Sequence, residues 1–524
     1  MQALSKTLVV CLSLLSLGGC ASGPPHSETA IDATVERAMQ AFSVPGVAVG
    51  VIKDGRILHA KGYGIRELGE PERIDGQTLF RVASNSKAMT TAALAMLVDQ
   101  ELLAWDDKIV NHIPDFRLHD PWITREFNVV DLLTHRSGLG LGAGDLMLWP
   151  RPNSFTREDI IHGLRYFEAQ SGFRTEYAYD NTLYIVAGEL IPAVSGTSWE
   201  DYVDSALLGP LGLERCFAGD IPAGEMTNLA APHALVEGEL SIVERNRISA
   251  ETSVSAAAGG VRCSLDDMLV WMSLQLNRGV DANGVRYYSD AQAETMWSPK
   301  TIRSVSERDR ERDGTHFKAY GLGWRLADIH GYKEVAHTGT FTGWGSNLVL
   351  IPELDLGVIV LTNGGQTGPA RAAIANSIVR PYMGVRGVDW IAEYTPESGA
   401  TADADFDLLA AALDGRRAAR PLADYSATYR DPWFGEVRVY EEGGQLWFAS
   451  VKSPRMRGEL WPWEGNTFVV RWADRSLQAD AFVHFDIDTA GVIDGMTMEP
   501  VSAETDWSFN YGDLNFERIA RTER

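Results

Sequence analysis

The sequence predicts an α+β domain followed by a small all-β domain, and three observations support that division. Strand-like segments occur at 47–64 and again at 320–365, while the residues between them mix helical and irregular sequence. Beyond about residue 425, short strand-like runs alternate with turns that contain Gly or Asp, a pattern typical of a barrel or sandwich. The chain has 524 residues, of which 45% are hydrophobic and 23% are charged, so it is long enough for two or more domains with buried cores.

The N-terminus is typical of an export signal. The apolar run 7–17 follows a lysine and has about half of the roughly 20 residues needed to cross a bilayer. It ends in Leu-Gly-Gly-Cys, which resembles the bacterial lipobox, and this resemblance implies cleavage before Cys20 and lipidation of its thiol. An ordinary signal peptide cut after Ala21 is the alternative. Both interpretations predict an exported protein. The favoured one predicts a signal peptide at 1–20, a flexible tether at 21–30 and a periplasmic protein anchored by lipid, with the outer membrane preferred over the inner.

The first domain is predicted over residues 31–385. Its first two strands are joined by Asp-Gly at 54–55, a dipeptide that favours a hairpin turn. The stretch 85–102 is rich in Ala, Leu and Met and contains neither Pro nor Gly, so it is predicted to be a helix. Two further helices are predicted at about 30–42 and 370–383.

A change of composition marks the end of this domain. Residues 386–424 include a small, polar and acidic stretch, which predicts a linker with a short helix. The segment 425–524 carries the regular short strands of the predicted all-β domain. No internal repeat is present in the sequence.

Charge and motif content exclude several classes of function. A formal net charge of −24 argues against nucleic acid or an anionic membrane surface as the main partner, because both require a basic surface. The sequence contains no H-E-x-x-H, no P-loop and no G-x-G-x-x-G run after a strand, so neither a metal nor any other cofactor is predicted. It also contains no G-x-S-x-G, which weakens an assignment to the α/β-hydrolases.

The cysteines leave one question open. If Cys11 is removed with the signal and Cys20 is lipidated, only Cys216 and Cys263 remain in the folded chain. An export compartment would permit a disulfide between them. Two buried thiols are the alternative, because cysteine is among the residues most often buried.

One lysine has the spacing that can activate a serine. Nucleophilic catalysis needs a base within reach of the hydroxyl, and residues three apart lie on the same face of a helix. Of the nine lysines in the chain, only Lys87 has a serine three positions earlier, and that serine is Ser84. Ser86 is adjacent to Lys87 in sequence and therefore points elsewhere. Alone, this spacing is weak, since a serine helix cap with a surface lysine would give the same pattern.

Two further motifs make the assignment specific. Tyr179-Asp180-Asn181 precedes an apolar helical run, and His337-Thr338-Gly339 lies within strand-like sequence. The order S-x-x-K, Y-x-N, H-T-G resembles the serine β-lactamase and penicillin-binding-protein superfamily over residues 30–382. The closest group is the class C, or S12-peptidase-like, branch. This resemblance implies a β-lactamase/transpeptidase-like α/β sandwich, with an antiparallel sheet flanked by helices and an all-helical subdomain. The segment after 425 resembles the lipocalin-like β-barrel often appended to such hydrolases.

The resemblance also implies catalytic roles. Ser84 would be the acylated nucleophile, while Lys87 and Tyr179 would share the general-base and general-acid work. A tyrosine can act as a base only if a nearby cation lowers its pKa, and Lys87 is the candidate for that cation.

The same resemblance implies a set of substrate-binding groups. Asn181 would hold the substrate amide, and the strand edge formed by His337, Thr338 and Gly339 would lie beside the substrate. The backbone N–H groups of Ser84 and Thr340 would form the oxyanion hole.

The first position of the third motif departs from the pattern of most family members, which carry lysine there. His337 would offer only a weaker, pH-dependent positive charge to a substrate carboxylate. Within the resemblance, H-x-G is closer to D-aminopeptidases and related hydrolases than to efficient β-lactamases.

The predicted function is therefore an exported serine hydrolase that cleaves amide bonds of small peptides, including those with D- or non-standard residues. Its partners would be a small-molecule or peptide substrate and a membrane reached only through the lipid anchor. A carboxylesterase or weak β-lactamase is the alternative among enzymes. A non-catalytic penicillin-binding module of the envelope is the alternative outside them.

Overall fold

A computed structural model describes residues 27–395, 413 and 415–519. The predicted signal peptide with Cys20, most of the tether and part of the linker lie outside the described residues. Within this part of the chain, no helix is both long and apolar enough to cross a membrane. The first helix begins at Glu28, capped by the side chain of Ser27, so it starts inside the segment predicted to be tether.

An eight-stranded antiparallel sheet forms the centre of the first domain. Its strand order is β2-β1-β13-β12-β11-β10-β9-β8, which places the two ends of the domain side by side in the middle of the sheet. Smaller sheets join β3, β7 and β4, and β5 with β6. The strands of this domain are β1 (Gly46–Lys53), β2 (Arg56–Gly64), β3 (Phe80–Arg81), β4 (Cys216–Phe217), β5 (His233–Val236), β6 (Glu239–Ile242), β7 (Arg262–Cys263), β8 (Thr301–Arg303), β9 (Lys318–Tyr320), β10 (Arg325–Ile329), β11 (Tyr332–Phe341), β12 (Trp344–Ile351) and β13 (Leu356–Thr362).

Helices cover both faces of this sheet. The longest are α1 (Glu28–Ala41), α2 (Ser86–Asp99), α7 (Thr182–Ser195), α10 (Leu265–Leu276) and α13 (Thr367–Val379). The shorter ones, numbered in the same chain order, are α3 (Ile109–His112), α4 (Pro121–Glu126), α5 (Val129–Leu133), α6 (Arg157–Gly163), α8 (Trp199–Val203), α9 (Ala256–Gly259), α11 (Asp290–Met296), α12 (Glu307–Asp313), α14 (Trp390–Tyr394) and α15 (Leu422–Tyr425).

The alternation of side chains along each strand divides the apolar residues between two cores. In β1, Val47 and Val49 pack with α1 and α13, whereas Ala48 and Ile52 pack into the larger core on the opposite face. Since both faces are buried, the central strands consist of nearly continuous apolar runs. Helix α2 belongs to the larger core, where residues 86–97 are all buried. A helix enclosed on every side supports a rigid site at its end.

The second domain is a closed antiparallel barrel of eight strands in sequential order. Aromatic side chains such as Phe448, Phe468, Phe485 and Trp472 fill its interior in edge-to-face contacts. The barrel strands are β14 (Ala427–Asp431), β15 (Gly435–Glu442), β16 (Gln445–Ser450), β17 (Arg457–Glu464), β18 (Thr467–Trp472), β19 (Ala481–Ile487), β20 (Ile493–Pro500) and β21 (Asn515–Arg518). The predicted fold class, a helix-flanked antiparallel sheet followed by a small barrel, is confirmed.

The question of the cysteines is also resolved. Cys216 and Cys263 are direct partners across β4 and β7, with Cα atoms 4.0 Å apart, and they form a disulfide. The same small sheet pairs β7 with β3, the strand that leads into the Ser84 turn. The disulfide therefore lies in the structure that supports that turn.

Candidate active site

Ser84 lies in a 3₁₀ turn (Ala83–Asn85) that leads directly into α2. Within residues 81–90 it is the one side chain that is not buried. Ala83 has a positive φ of 49°, which is uncommon for a residue other than glycine and tends to cluster at functional sites. The turn thus presents the Ser84 hydroxyl to a cleft, at the N-terminal end of an otherwise enclosed helix.

Ser86, in contrast to Ser84, is buried and has a structural role. Its side chain is fully buried, donates to the carbonyl of Ala83 at 2.7 Å and accepts from the N–H of Val261 at 3.1 Å. These two bonds tie the turn to the segment before β7. The structure therefore separates the two serines, with Ser84 facing the cleft and Ser86 holding the turn.

Lys87 is fully buried, and its amine lies among three oxygens. Nζ is 2.7 Å from Asn181 Oδ1, 2.8 Å from the carbonyl of Ala258 and 3.4 Å from Ser84 Oγ. Burial lowers the pKa of Lys87 to about 7, although the carboxyls of Asp145 and Asp180 act in the opposite direction. A neutral amine has two N–H donors and one lone pair, so it can donate to Asn181 and Ala258 while its lone pair faces Ser84.

Asp145 fixes the orientation of Asn181 and was not found by sequence reasoning. Asn181 Nδ2 donates to Asp145 Oδ2 at 2.9 Å, and both residues are buried. Because the carboxyl accepts on one side and Lys87 donates on the other, the amide has one favourable orientation. Burial holds the pKa of Asp145 well above its ordinary value. No local motif marks Asp145, since it lies 36 residues from Asn181 in the chain.

Tyr179 completes the group around the nucleophile. Its hydroxyl lies near Ser84, and it has no hydrogen-bond partner in the described part of the chain. Burial raises the pKa of Tyr179, and the smaller opposing effect of Arg325 does not offset it. The expected lowering of this pKa by Lys87 is therefore not found, because the phenol is more strongly desolvated than it is stabilised as an anion. Tyr179 is therefore a neutral phenol in this structure.

His337 is buried behind the cleft rather than charged within it. Its Nδ1 lies 2.8 Å from the carbonyl of Thr338 and its Nε2 lies 2.8 Å from the hydroxyl of Tyr320. A carbonyl can only accept, so Nδ1 carries the proton and Nε2 accepts from Tyr320. Burial lowers the pKa of His337 well below its ordinary value. The expected pH-dependent positive charge at this position is thus replaced by a neutral imidazole.

The rest of the third motif lies against the Ser84 turn. Thr338 and Thr340 line the cleft. A Cβ at Gly339 would lie 2.2 Å from the carbonyl oxygen of Val82 and 2.5 Å from Ser346 Oγ, so only glycine lets β11 approach so closely. This approach packs β11 against the turn that carries Ser84.

The cleft has a volume of about 340 Å³ and combines cationic and aromatic walls. Arg325 follows directly after the Y-G-L-G-W sequence and lines the cleft, and Arg371 donates to the carbonyl of Gly339 and to Thr340 Oγ1. Burial lowers the pKa of Arg371 to about 9. The sequence analysis did not identify either arginine, and the position of Arg325 directly after Y-G-L-G-W is the one local signal for it. The remaining wall residues are Ser84, Trp149, Pro150, Tyr179, Asn181, Arg245, Asn246, Ala258, Gly259, Thr338, Thr340, Phe341, Thr342, Asp506, Trp507, Ser508 and Phe509.

Fold and site together define a serine hydrolase of the β-lactamase and penicillin-binding-protein type. The Beta-lactamase family model matches residues 31–379, and the chain belongs to this family. A domain of unknown function, DUF3471, matches residues 414–518, which include the barrel.

Several curated proteins are similar to this chain. An unguisins hydrolase of Aspergillus violaceofuscus is 27% identical over 71% of this chain and 69% of its own length. A second unguisins hydrolase, from Aspergillus campestris, is 24% identical over 95% and 94% of the two chains. The protein flp of Staphylococcus aureus is 24% identical over 64% and 63%.

Solved structures share the fold. The octameric penicillin-binding protein homologue from Pyrococcus abyssi aligns with a TM-score of 0.58 at 21% identity, covering 93% of this chain and 99% of that one. The structure of SurE aligns with a TM-score of 0.52 at 21% identity, covering 94% and 98%. Both alignments extend over most of this chain, including the barrel.

Proposed function

We propose that this serine hydrolase cleaves amide bonds of small peptides through an acyl-enzyme on Ser84, including peptides with D- or non-standard residues. The observation that carries the proposal is the environment of Lys87, whose amine contacts two fixed acceptors, Asn181 and Ala258, and has its third position facing Ser84 Oγ. A base with a pKa of about 7 suits proton transfer near neutral pH.

The proposed reaction follows from that environment. Ser84 Oγ attacks the scissile carbonyl carbon as its proton passes to Lys87 Nζ, and the developing oxyanion is held by the N–H groups of Ser84 and Thr340. Tyr179 then donates its hydroxyl proton to the leaving nitrogen, the C–N bond breaks, and Tyr179 is reprotonated from Lys87. In the second half, water attacks the acyl carbon as its proton passes to Lys87 Nζ, the bond from the acyl carbon to Ser84 Oγ breaks, and Lys87 returns the proton to Ser84 Oγ as the acid product leaves.

The preference for peptides rests on two supports. The neutral His337 removes the cation that family members with lysine offer beside the third motif, which lowers the expectation of efficient β-lactam turnover. Two similar proteins are named unguisins hydrolases, and we extend a hydrolase activity to this chain as part of the proposal.

Active-site labelling tests the nucleophile. A fluorophosphonate probe followed by intact-mass analysis should add one label to the wild type, none to Ser84→Ala, and one to the matched control Ser86→Ala. Equal labelling of Ser84→Ala, or loss of the label only in Ser86→Ala, would contradict the assignment.

A substrate panel tests the reaction class. Small peptide amides with D- and L-residues, simple esters and nitrocefin should be compared by kcat/KM. We expect the highest value for a peptide amide. Nitrocefin or esters turned over faster than every amide would overturn the proposed class in favour of a lactamase or an esterase, and a labelled enzyme that turns over none of them would favour a penicillin-binding module.

The export of the protein is proposed on the sequence alone. We propose that Cys20 is lipidated and holds the enzyme at the periplasmic face of the envelope, through the tether. In a bacterial host fed an alkyne fatty acid, the full-length chain should become labelled and Cys20→Ser should not. A label that persists in Cys20→Ser, or a wild type that is secreted without label, would contradict this.

A further inference from the structure

One wall of the cleft comes from the second domain. The connection between β20 and β21 leaves the end of the barrel, and four of its residues, 506–509, line the same cavity as Ser84 and Tyr179. The catalytic groups themselves all lie before residue 341. The cleft is therefore complete only when the barrel is in place.

Trp507 makes the most direct contact of this segment. Its ring is 5.5 Å from the ring of Tyr179, centroid to centroid, in an edge-to-face arrangement at 76°. About 40% of Trp507 remains exposed, so part of this large apolar side chain is packed and the rest is available to a ligand. An aromatic side chain half-exposed beside a catalytic group is a ready surface for an apolar substrate group.

Contacts with the first domain and a hydrogen bond inside the segment hold residues 506–509 in place. Asn510 Nδ2 donates to the carbonyl of Leu141 at 3.3 Å, and a Cβ at Gly142 would lie 2.8 Å from the ring and from the carbonyl oxygen of Trp507. Within the segment, Asp506 Oδ1 accepts from the N–H of Ser508 at 2.9 Å. The wall is thus an ordered part of the cleft.

Contacts outside this segment also fix the barrel to the first domain. Trp433 packs on Phe167 with ring centroids 4.9 Å apart. Lys452 forms an ion pair with Asp159 at 2.8 Å, and Arg245 donates to the carbonyl of Ser476 at 2.8 Å. These contacts hold the barrel in a defined position, so the position of Trp507 relative to Tyr179 is defined as well.

We infer that Trp507 is a specificity-determining residue which packs against the side chain of the substrate residue next to the scissile carbonyl, and that it selects apolar and aromatic side chains there. This inference rests on the proposed function, since it names the substrate class of the same site. Trp149 and Phe341, whose rings lie 5.5 Å apart, also line the cleft. With Trp507 they give the cleft three aromatic side chains that an apolar substrate group could contact.

The test compares three variants on a graded set of substrates. Peptide amides with D-Ala, D-Leu and D-Phe at the acyl position should be assayed with the wild type, Trp507→Phe, Trp507→Ala and the control Trp463→Ala. Trp463 lies on the barrel against Phe482 and Arg416, so its loss perturbs the barrel without touching the cleft.

We expect Trp507→Ala to lower kcat/KM for the D-Phe and D-Leu substrates by about tenfold or more, mainly through KM, and for D-Ala by less than about threefold. Trp507→Phe should restore part of the preference, and Trp463→Ala should leave it unchanged. An equal loss on all substrates, an unchanged preference, or faster turnover of the bulky substrates by Trp507→Ala would each overturn the inference.

Labelling separates this outcome from failure of the proposed function. A small fluorophosphonate does not need the apolar wall, so Trp507→Ala should be labelled at Ser84 at a rate within about threefold of the wild type. If the wild type is labelled but hydrolyses no peptide amide, the proposed function fails. If it hydrolyses them without the predicted dependence on Trp507, only the inference about the wall fails.

Discussion

At the scale of single residues, the site depends on which polar groups are neutral. Lys87, Tyr179 and His337 are all buried, and burial disfavours the charged form of each. The result is an amine that can accept a proton, a phenol that can donate one, and an imidazole that serves as a fixed hydrogen-bonding group. The S-x-x-K and Y-x-N spacings could be recognised in the sequence, but these protonation states could not, because they depend on packing from distant segments.

The pH dependence of activity should report Lys87. The base must be neutral to accept the Ser84 proton, so kcat/KM should rise with pH and level off above a pKa of about 7. Lys87→Ala should lower kcat about 10² to 10⁴-fold while the protein remains folded. A pH–rate profile of kcat/KM checks the first expectation. A profile that is flat between pH 6 and 9, or that falls across this range, would contradict the role of Lys87.

Asp145 should act through Asn181 rather than on the substrate. Asp145→Asn would allow either orientation of the Asn181 amide, so the acceptor for Lys87 would be lost part of the time. We expect kcat to fall about 10- to 100-fold with a smaller change in KM. Asp267→Asn is the matched control, because Asp267 is also a buried acceptor, bonded to the N–H of Arg215, but supports α10 instead. Comparable losses of kcat in Asp145→Asn and Asp267→Asn would show that Asp145 has only a general structural role.

At the scale of elements, the closeness of β11 to the Ser84 turn decides the geometry of the reaction. The sequence could place a strand around His337-Thr338-Gly339 and a helix after Ser84, because each has a clear local pattern. It could not show that the backbone of β11 passes against Val82 and Ala83. That contact depends on a missing Cβ at Gly339, which is a tertiary requirement.

Gly339→Ala should therefore impair both stability and activity. The new Cβ would meet backbone at 2.2 Å, so β11 must shift away from Ser84, and we expect at least 10²-fold loss of kcat/KM and a lower Tm. The control is Gly368→Ala in α13, where a Cβ meets nothing within 4 Å and helix propensity favours alanine by about 0.5–1 kcal/mol. Thermal melts and kcat/KM for both variants check this. Full activity in Gly339→Ala would show that the close approach is dispensable.

At the scale of the whole molecule, two domains share one continuous apolar core. Phe155 and Phe167 of the first domain pack against Phe434 and Trp433 of the barrel. The sequence predicted two domains correctly as folds, but composition alone could not reveal that the second domain supplies residues 506–509 to the cleft. Loop positions between barrel strands carry no local signal for the neighbour that they contact.

This shared core predicts cooperative unfolding of the full chain. Heating should give one calorimetric transition, with equal calorimetric and van't Hoff enthalpies. Trp433→Ala, which removes a buried aromatic at the boundary, should destabilise the whole protein by about 3 kcal/mol or more. Trp447→Ala on the outer surface of the barrel, where Arg457 covers the ring, should change stability much less. Two separate transitions, or a shift confined to the barrel, would contradict a shared core.

The origin of Trp507 has a consequence for biosynthesis. Translation proceeds from the N-terminus, and domains generally fold in that order. A ribosome that has finished residue 341 has already made every catalytic side chain, yet it must add about 170 more residues before the wall of the cleft exists. A chain that ends before this wall also lacks the barrel half of the shared core. Stable folding and the proposed choice of substrate should therefore both wait until the last residues of the barrel have been made.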